Sequence, residues 1–279
     1  MKQETGARVA RHYAQDHLEE TILDALAAAG KDTDRLTPND LVAVEEFHTG
    51  GREATADFAR QAGFVAGQHL LDIGCGIGGA ARYFATARGC RVTGIDLTED
   101  YVRTAQALSR RVGLGGMTTF RCASAASLPF ADATFDGAYM IHVGMNVEDK
   151  RALFVGVRRV LEPGGTFALF DIMRTGDGEL SYPVPWAGNP ETSFLASPAE
   201  YRQDLEAAGF EIVSQRDRSG FAGRFFAEAK ARAAAEGGPP PLGTHILMKD
   251  NVAQKLSNVV TGLESGMIAP VELVARMRY

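Results

Sequence analysis

The chain has little of what marks several functional classes. Its 279 residues include three cysteines, Cys75, Cys90 and Cys122. An odd number without metal-type spacing argues against a disulfide framework and gives no reason to expect a zinc site or other resident metal. There is one tryptophan, and aromatic residues make up 8%. Basic residues are no majority: 29 Lys and Arg face 35 Asp and Glu, a net charge of −6. The clustered positive charge that a nucleic acid or an anionic membrane surface requires is therefore missing. No apolar run approaches the roughly 18–20 residues of a membrane span, and the opening Met1-Lys2-Gln3-Glu4 lacks the apolar stretch of a signal peptide. Repeats and long low-complexity tracts are also absent. What remains is an ordinary globular composition, 45% hydrophobic and 23% charged, expected in the cytoplasm. Residues 1–66 hold 12 acidic and 7 basic side chains, a net of −5, so the rest of the chain is nearly neutral.

Those first 66 residues read as all-helical. Leu18, Ile22, Leu26 and Ala29 recur at helical steps between Tyr13 and Gly30, Thr37-Pro38 opens a second helix, and a third runs over 52–62 to Gly63. From His69 the texture changes. Short apolar segments at 69–73, 91–96, 118–122, 136–142 and 166–172 alternate with helical stretches at 79–88, 98–112 and 148–161. Such alternation predicts βαβ crossovers and a doubly wound, mostly parallel α/β sheet. Ser197-Pro198-Ala199-Glu200 is a capping box opening a further helix, followed by a strand at 211–217. The tail is helical over 220–266, broken at Gly237-Gly238-Pro239-Pro240-Pro241, and 271–277 alternates as a last strand. The expected organisation is a helical arm (1–66), a nucleotide-binding core (67–219), a helical lid insertion (220–266) and a returning strand (267–279).

The strongest constellation is Leu71-Asp72-Ile73-Gly74-Cys75-Gly76-Ile77-Gly78-Gly79, which ends the first strand and opens a helix. Glycines there let backbone approach a ligand, and the helix start offers free amides. Asp96 ends the second strand 20 residues after Gly76, where a carboxylate accepts from ribose hydroxyls. Gly74, Gly76 and Gly79 also satisfy a dinucleotide fingerprint, which leaves a nucleotide-dependent oxidoreductase as a rival. Asp72 weighs against it. A carboxylate at this strand end repels a pyrophosphate but suits an ammonium group, so the implied ligand has a ribose and an amine and no phosphate. A non-catalytic protein that only binds such a ligand is the other reading left open.

With these residues the chain resembles the class I S-adenosylmethionine-dependent methyltransferases. The glycine loop resembles their first motif and Asp96 their ribose-binding acid; Leu161-Glu162-Pro163-Gly164-Gly165 is similar to the turn entering their fifth strand, and Leu128-Pro129-Phe130 with Phe135-Asp136 to the lead-in to their fourth. The resemblance spans about residues 67–217. It implies seven strands in the order 3-2-1-4-5-7-6, with 271–277 as the antiparallel strand 7. A narrower likeness, to sarcosine/dimethylglycine and ubiquinone or tocopherol methyltransferases, rests on Phe47-His48-Thr49-Gly50-Gly51, Ile141-His142-Val143-Gly144-Met145-Asn146 and Pro183-Val184-Pro185-Trp186-Ala187. By this resemblance S-adenosylmethionine is held by Asp72, Gly74, Cys75, Gly76, Gly78, Asp96, Leu97, Ser124, Ala125, Ile141, His142 and His48. Ser124 stands where many relatives carry an adenine-binding Asp.

The partner implied is a small-molecule methyl acceptor. Transfer from a sulfonium is a direct displacement, so positioning and exclusion of water come first; a base is needed only where the acceptor must lose a proton. His142, at the carboxyl end of strand four, reads either as that base or as a packing residue. Trp186 reads as acceptor-pocket wall or as core. Tyr13, Asn146 and Tyr182 are the remaining candidates for acceptor contact, while His12, His17, His69 and His245 read as solvated.

Overall fold

The computed structural model describes residues 2–238 and 240–278; Met1, Pro239 and Tyr279, which fall in the opening tetrapeptide, the Gly-Pro break and the final segment, lie outside them. Four helices precede the sheet: α1 (Lys2–Tyr13), α2 (Leu18–Ala28), α3 (Pro38–Glu45) and α4 (Gly51–Ala62). The helix expected from Tyr13 to Ala29 starts only at Leu18, and a separate helix, α1, precedes it. Long-range bonds hold the break open: Gln15 donates its backbone N–H to Asp100 Oδ2 (3.3 Å) and its side-chain amide to the Ile246 carbonyl (3.0 Å). His17 then adopts φ 57° and starts α2, which aims Leu18, Ile22 and Leu26 into one apolar cluster with Leu41, Val44 and Tyr101.

The sheet contains β1 (His69–Ile73), β2 (Arg91–Asp96), β3 (Thr118–Cys122), β4 (Phe135–Ile141), β5 (Leu161–Arg174), β6 (Phe210–Asp217) and β7 (Ile268–Met277). Its order is β3-β2-β1-β4-β5-β7-β6, with β7 antiparallel to both neighbours. Strand β5 begins earlier than expected because Leu161 already pairs with Phe135. The Glu162–Gly165 turn is absorbed as a register shift before Thr166 pairs with Gly137. Helices α5 (Gly79–Arg88), α6 (Glu99–Arg111), α7 (Lys150–Val160) and α8 (Pro198–Ala207) cross between the strands. The capping box of α8 forms: Ser197 N–H donates to Glu200 Oε2 (2.7 Å) and Glu200 N–H to Ser197 Oγ (3.2 Å).

Two apolar clusters cover the sheet. One joins it to α7 and α8 through Leu153, Phe154, Val157, Tyr201 and Leu205; the other joins it to α4 and α5 through Ala54, Phe58, Ala81 and Phe84. After β6 come α9 (Ser219–Glu236), α10 (His245–Met248) and α11 (Val252–Glu264), which lead back to β7. No described helix is long and apolar enough to cross a membrane.

Candidate active site

The loop after β1 is held by backbone bonds before any ligand is considered. Gly74 and Cys75 donate their N–H groups to the Ile95 carbonyl at 2.8 and 2.9 Å. Gly76 takes φ 54°, a left-handed conformation with open space where a Cβ would stand, and its N–H donates to Asp96 Oδ2 at 3.0 Å. The second carboxylate oxygen of Asp96 accepts from Thr98 N–H at 2.8 Å. Burial raises the Asp96 pKa against these amide bonds. Behind the loop, Gly79 lies against α3, where a Cβ would come within 2.7 Å of the Glu45 carbonyl oxygen.

An ion pair unforeseen from the sequence locks this contact. Arg82 of α5 and Glu45 of α3 are both fully enclosed. The guanidinium donates to Glu45 Oε2 through Nε (2.9 Å) and Nη2 (2.6 Å), to the Ile77 carbonyl (2.7 Å) and to Ser109 Oγ (2.9 Å). Arg52 bonds the other Glu45 oxygen and also Glu46 Oε1 at 2.5 Å. The helical arm is thereby fastened to the glycine loop. The signal available in the sequence was an arginine on the apolar face of α5, beside Ala81 and Ala85.

Asp72 is 2% exposed and its Oδ2 has no hydrogen-bond partner. Burial, reinforced by the charge of Asp96, pushes its pKa up to about 8. A buried carboxyl with an unpartnered oxygen beside a second carboxyl is a place for a cation, which fits the ammonium group of S-adenosylmethionine.

Across the cavity, His142 lies one residue past β4 with φ 55°, an uncommon conformation for a residue with a Cβ. Its N–H donates to the Phe170 carbonyl (2.7 Å), and its ring stands edge to face with Phe170, centroids 4.7 Å apart. Thr49 N–H donates to His142 Nε2 across a long 3.4 Å, while Nδ1 has no partner among the described residues. Burial, and then the neighbouring His48, pull the His142 pKa well below the ordinary imidazole value. His48 donates through Nε2 to Glu46 Oε2 (2.9 Å), which also accepts from Thr55 Oγ1 (2.6 Å). Burial raises the Glu46 pKa, but the bonds from His48 and Arg52 outweigh it and leave the net shift downward.

One cavity of about 840 Å³ is lined by Asp72, Gly74, Cys75, Gly76, Asp96, Leu97, Ala125, Ile141, His142 and His48, and also by Tyr13, Asn146 and Trp186. Three candidates fall outside its lining. Gly78 closes the turn into α5, and a Cβ there would strike Arg82 and Phe120. Ser124 directs its hydroxyl to the Ala126 N–H (3.2 Å), an intraloop turn. Tyr182 packs against the cluster of Leu180, Val184 and Val259. Asn146 lines the cavity with its polar atoms already engaged. It donates to the carbonyls of Trp186 (2.8 Å) and Thr192 (2.9 Å) and accepts from the Tyr13 hydroxyl (2.9 Å). Trp186 combines both roles considered for it, being 3% exposed within a core cluster while lining the cavity, with Nε1 donating to Ser193 Oγ (3.0 Å).

The other histidines divide. His17 is exposed, His12 bonds the Pro185 carbonyl (3.0 Å), His69 bonds Thr93 (2.8 Å), and His245 lines the cavity. The sequence reading also missed the lid side of that cavity: Phe225, Phe226 and Ala229 of α9, Leu242, Leu247 and Met248 around α10, and Leu256 and Val259 of α11.

Comparison with known proteins agrees with this geometry. Residues 71–169 match a methyltransferase domain family. The chain is 36% identical over 176 residues to the O-methyltransferase resE of Aspergillus sclerotiorum, covering 62% of this chain and 66% of that protein. It is 34% identical over 178 residues to the O-methyltransferase rstn1 of Aspergillus nomiae, covering 61% and 78%. Its fold is similar to geranyl diphosphate C-methyltransferase of Streptomyces coelicolor A3(2), solved with S-adenosyl-L-homocysteine, at a TM-score of 0.71 and 15% identity over 98% of each chain.

Proposed function

The chain belongs to the S-adenosylmethionine-dependent methyltransferases, and from that premise we propose that it methylates a hydroxyl oxygen of a small molecule held between the glycine loop and the helices after β6. The observation that carries the reading is the convergence, in one cavity, of the amide-bonded Asp96, the Asp72 carboxyl with its unpartnered Oδ2, and His142, whose pKa burial lowers. Asp96 is placed to accept from ribose hydroxyls and Asp72 to meet the ammonium group; Leu97 and Ala125 offer apolar contact for the base. When bound, S-adenosylmethionine supplies a methyl group on a positively charged sulfur.

The protein's own part is to align the acceptor and take up its proton. His142 has a pKa well below the ordinary imidazole value, and its Nε2 meets only Thr49, through the backbone N–H at 3.4 Å and the hydroxyl at 3.3 Å. Nε2 accepts the hydroxyl proton as the new O–CH₃ bond forms and the S–CH₃ bond breaks; the imidazolium then returns its proton to water. Oxygen is favoured over a cationic amine because the carboxylates that line the cavity besides Asp72 and Asp96, Glu45 and Glu46, are already engaged by Arg82, Arg52 and His48. Two relatives named as O-methyltransferases support the same choice. Helices α1 and α9–α11 serve as the closing elements that keep water from the reaction. The test is incubation with methyl-deuterated S-adenosylmethionine and a panel of alcohols, phenols and amines, read by mass spectrometry. Label on oxygen is expected, and label confined to nitrogen or carbon would contradict the assignment.

A further inference from the structure

The lid side of the cavity defines its own chemistry. Phe225, Phe226 and Ala229 on α9, Leu242 and Met248 around α10 and Leu256 on α11 form an apolar wall. Phe225 and Phe226 stack edge to face with centroids 5.4 Å apart. Cations are scarce. Among the described residues, two arginines and no lysine line the cavity. Arg52 is bound to Glu45 and Glu46, and Arg232 has a 60% exposed side chain lying 3.9 Å from Glu228. An acceptor carrying a phosphate or carboxylate needs an enclosed, unengaged cation to offset its desolvation, and this wall offers only Arg232, whose charge stays largely in solvent beside Glu228. At about 840 Å³ the cavity lies near the top of the range of about 300–1,000 Å³ for small-molecule sites, as expected where two molecules bind together.

We infer that the acceptor is a bulky, uncharged, largely apolar alcohol or phenol whose hydrocarbon body lies against the wall formed by α9, α10 and α11. This rests on the methyltransferase reading and narrows it to one substrate class. It excludes phosphorylated and zwitterionic acceptors from productive binding, and it makes Ala229 and Leu256 determinants of specificity. A residue of α9 or α11 that projects a charge into the wall abolishes acceptor binding without touching the glycine loop.

The test is calorimetric titration of the full chain saturated with S-adenosylhomocysteine, using 1-pyrenol and farnesol as apolar ligands and phosphoethanolamine and dimethylglycine as charged ones. At least one apolar ligand is expected to bind at least about tenfold more tightly than either charged one. The two apolar arms separate a ring system from an isoprenoid chain. Ala229→Leu, which fills space, is expected to weaken that ligand by about tenfold or more, and Leu256→Arg by more again, while S-adenosylhomocysteine affinity stays within about twofold. Tighter binding of a charged ligand, no binding of either apolar one, or unchanged affinity in both variants would overturn the inference. Apolar binding in a chain that fails to bind S-adenosylhomocysteine would instead sink the methyltransferase reading and leave the lid wall's ligand class standing.

Discussion

Burial favours the uncharged form of both Asp72 and His142, against the ordinary preference of the first and along that of the second. Asp72, with a pKa of about 8, is largely protonated at pH 6.5 in the free protein. An ammonium group beside it favours the carboxylate, so cofactor binding releases a proton. The sign follows directly: affinity rises with pH up to about 8, by as much as about tenfold per unit. Calorimetry at pH 6.5 in buffers of different ionisation enthalpy measures the release, and Asp72→Asn is expected to abolish it. For His142 the pKa lies well below the usual value, so the neutral base persists across neutral pH. Single-turnover rates are expected to stay flat there and to fall only in acid, below the ordinary imidazole range. His142→Gln should lose that acid limb and about 100- to 10,000-fold in rate. A variant with nearly full activity argues for positioning alone, and a wild-type rate that climbs through pH 6.5 argues for a base that titrates as an ordinary imidazole.

At the scale of elements, what decides the site is how α3 and α5 are joined. Arg82→Met leaves Glu45 enclosed without its main partner, and breaking a buried pair from one side costs about 3–5 kcal/mol. Urea unfolding should show that loss, and Glu45→Met combined with Arg82→Met should restore most of it, since neither half of the pair is then left buried without the other. A loss under about 1 kcal/mol in the single variant, below the buried-pair range, would mean the pair does not hold the arm. The helices around the cavity behave differently. Among the residues of α9 whose burial is described, only Ala222 is buried, and elements with few buried contacts open readily. Amide exchange should show α1, α9 and α11 gaining protection when S-adenosylhomocysteine and an apolar phenol bind together. Protection confined to residues 74–79 would exclude a closing role.

Across the whole molecule, legibility followed distance along the chain. The glycine loop and Asp96 were readable because turn, strand end and helix start are local and their residue types are restricted by backbone geometry. The sheet order came with the resemblance, and the strands themselves with alternation. The pairing of Arg82 with Glu45 was not readable: an arginine on the apolar face of α5 stands out, but its partner is 37 residues away. The break between α1 and α2 depends on Asp100 and Ile246, remote groups that override a continuous helical pattern. Ser124 and Tyr182 were placed by analogy of position, and local hydrogen bonding and packing turned them elsewhere. The lid wall was hidden for a related reason, since Phe225, Phe226 and Leu256 gain their meaning only when α9 and α11 line the same cavity as the ends of β1 and β4.

The central claim is that Asp96 and the glycine loop bind S-adenosylmethionine in this cavity, and one titration addresses it. S-adenosylhomocysteine added to the wild-type chain and to Asp96→Ala should bind both folded proteins with a difference of about 1.5–3 kcal/mol, the range for hydrogen bonds to a charged group. Equal affinity in the two proteins, or no binding to the wild type, would contradict the account.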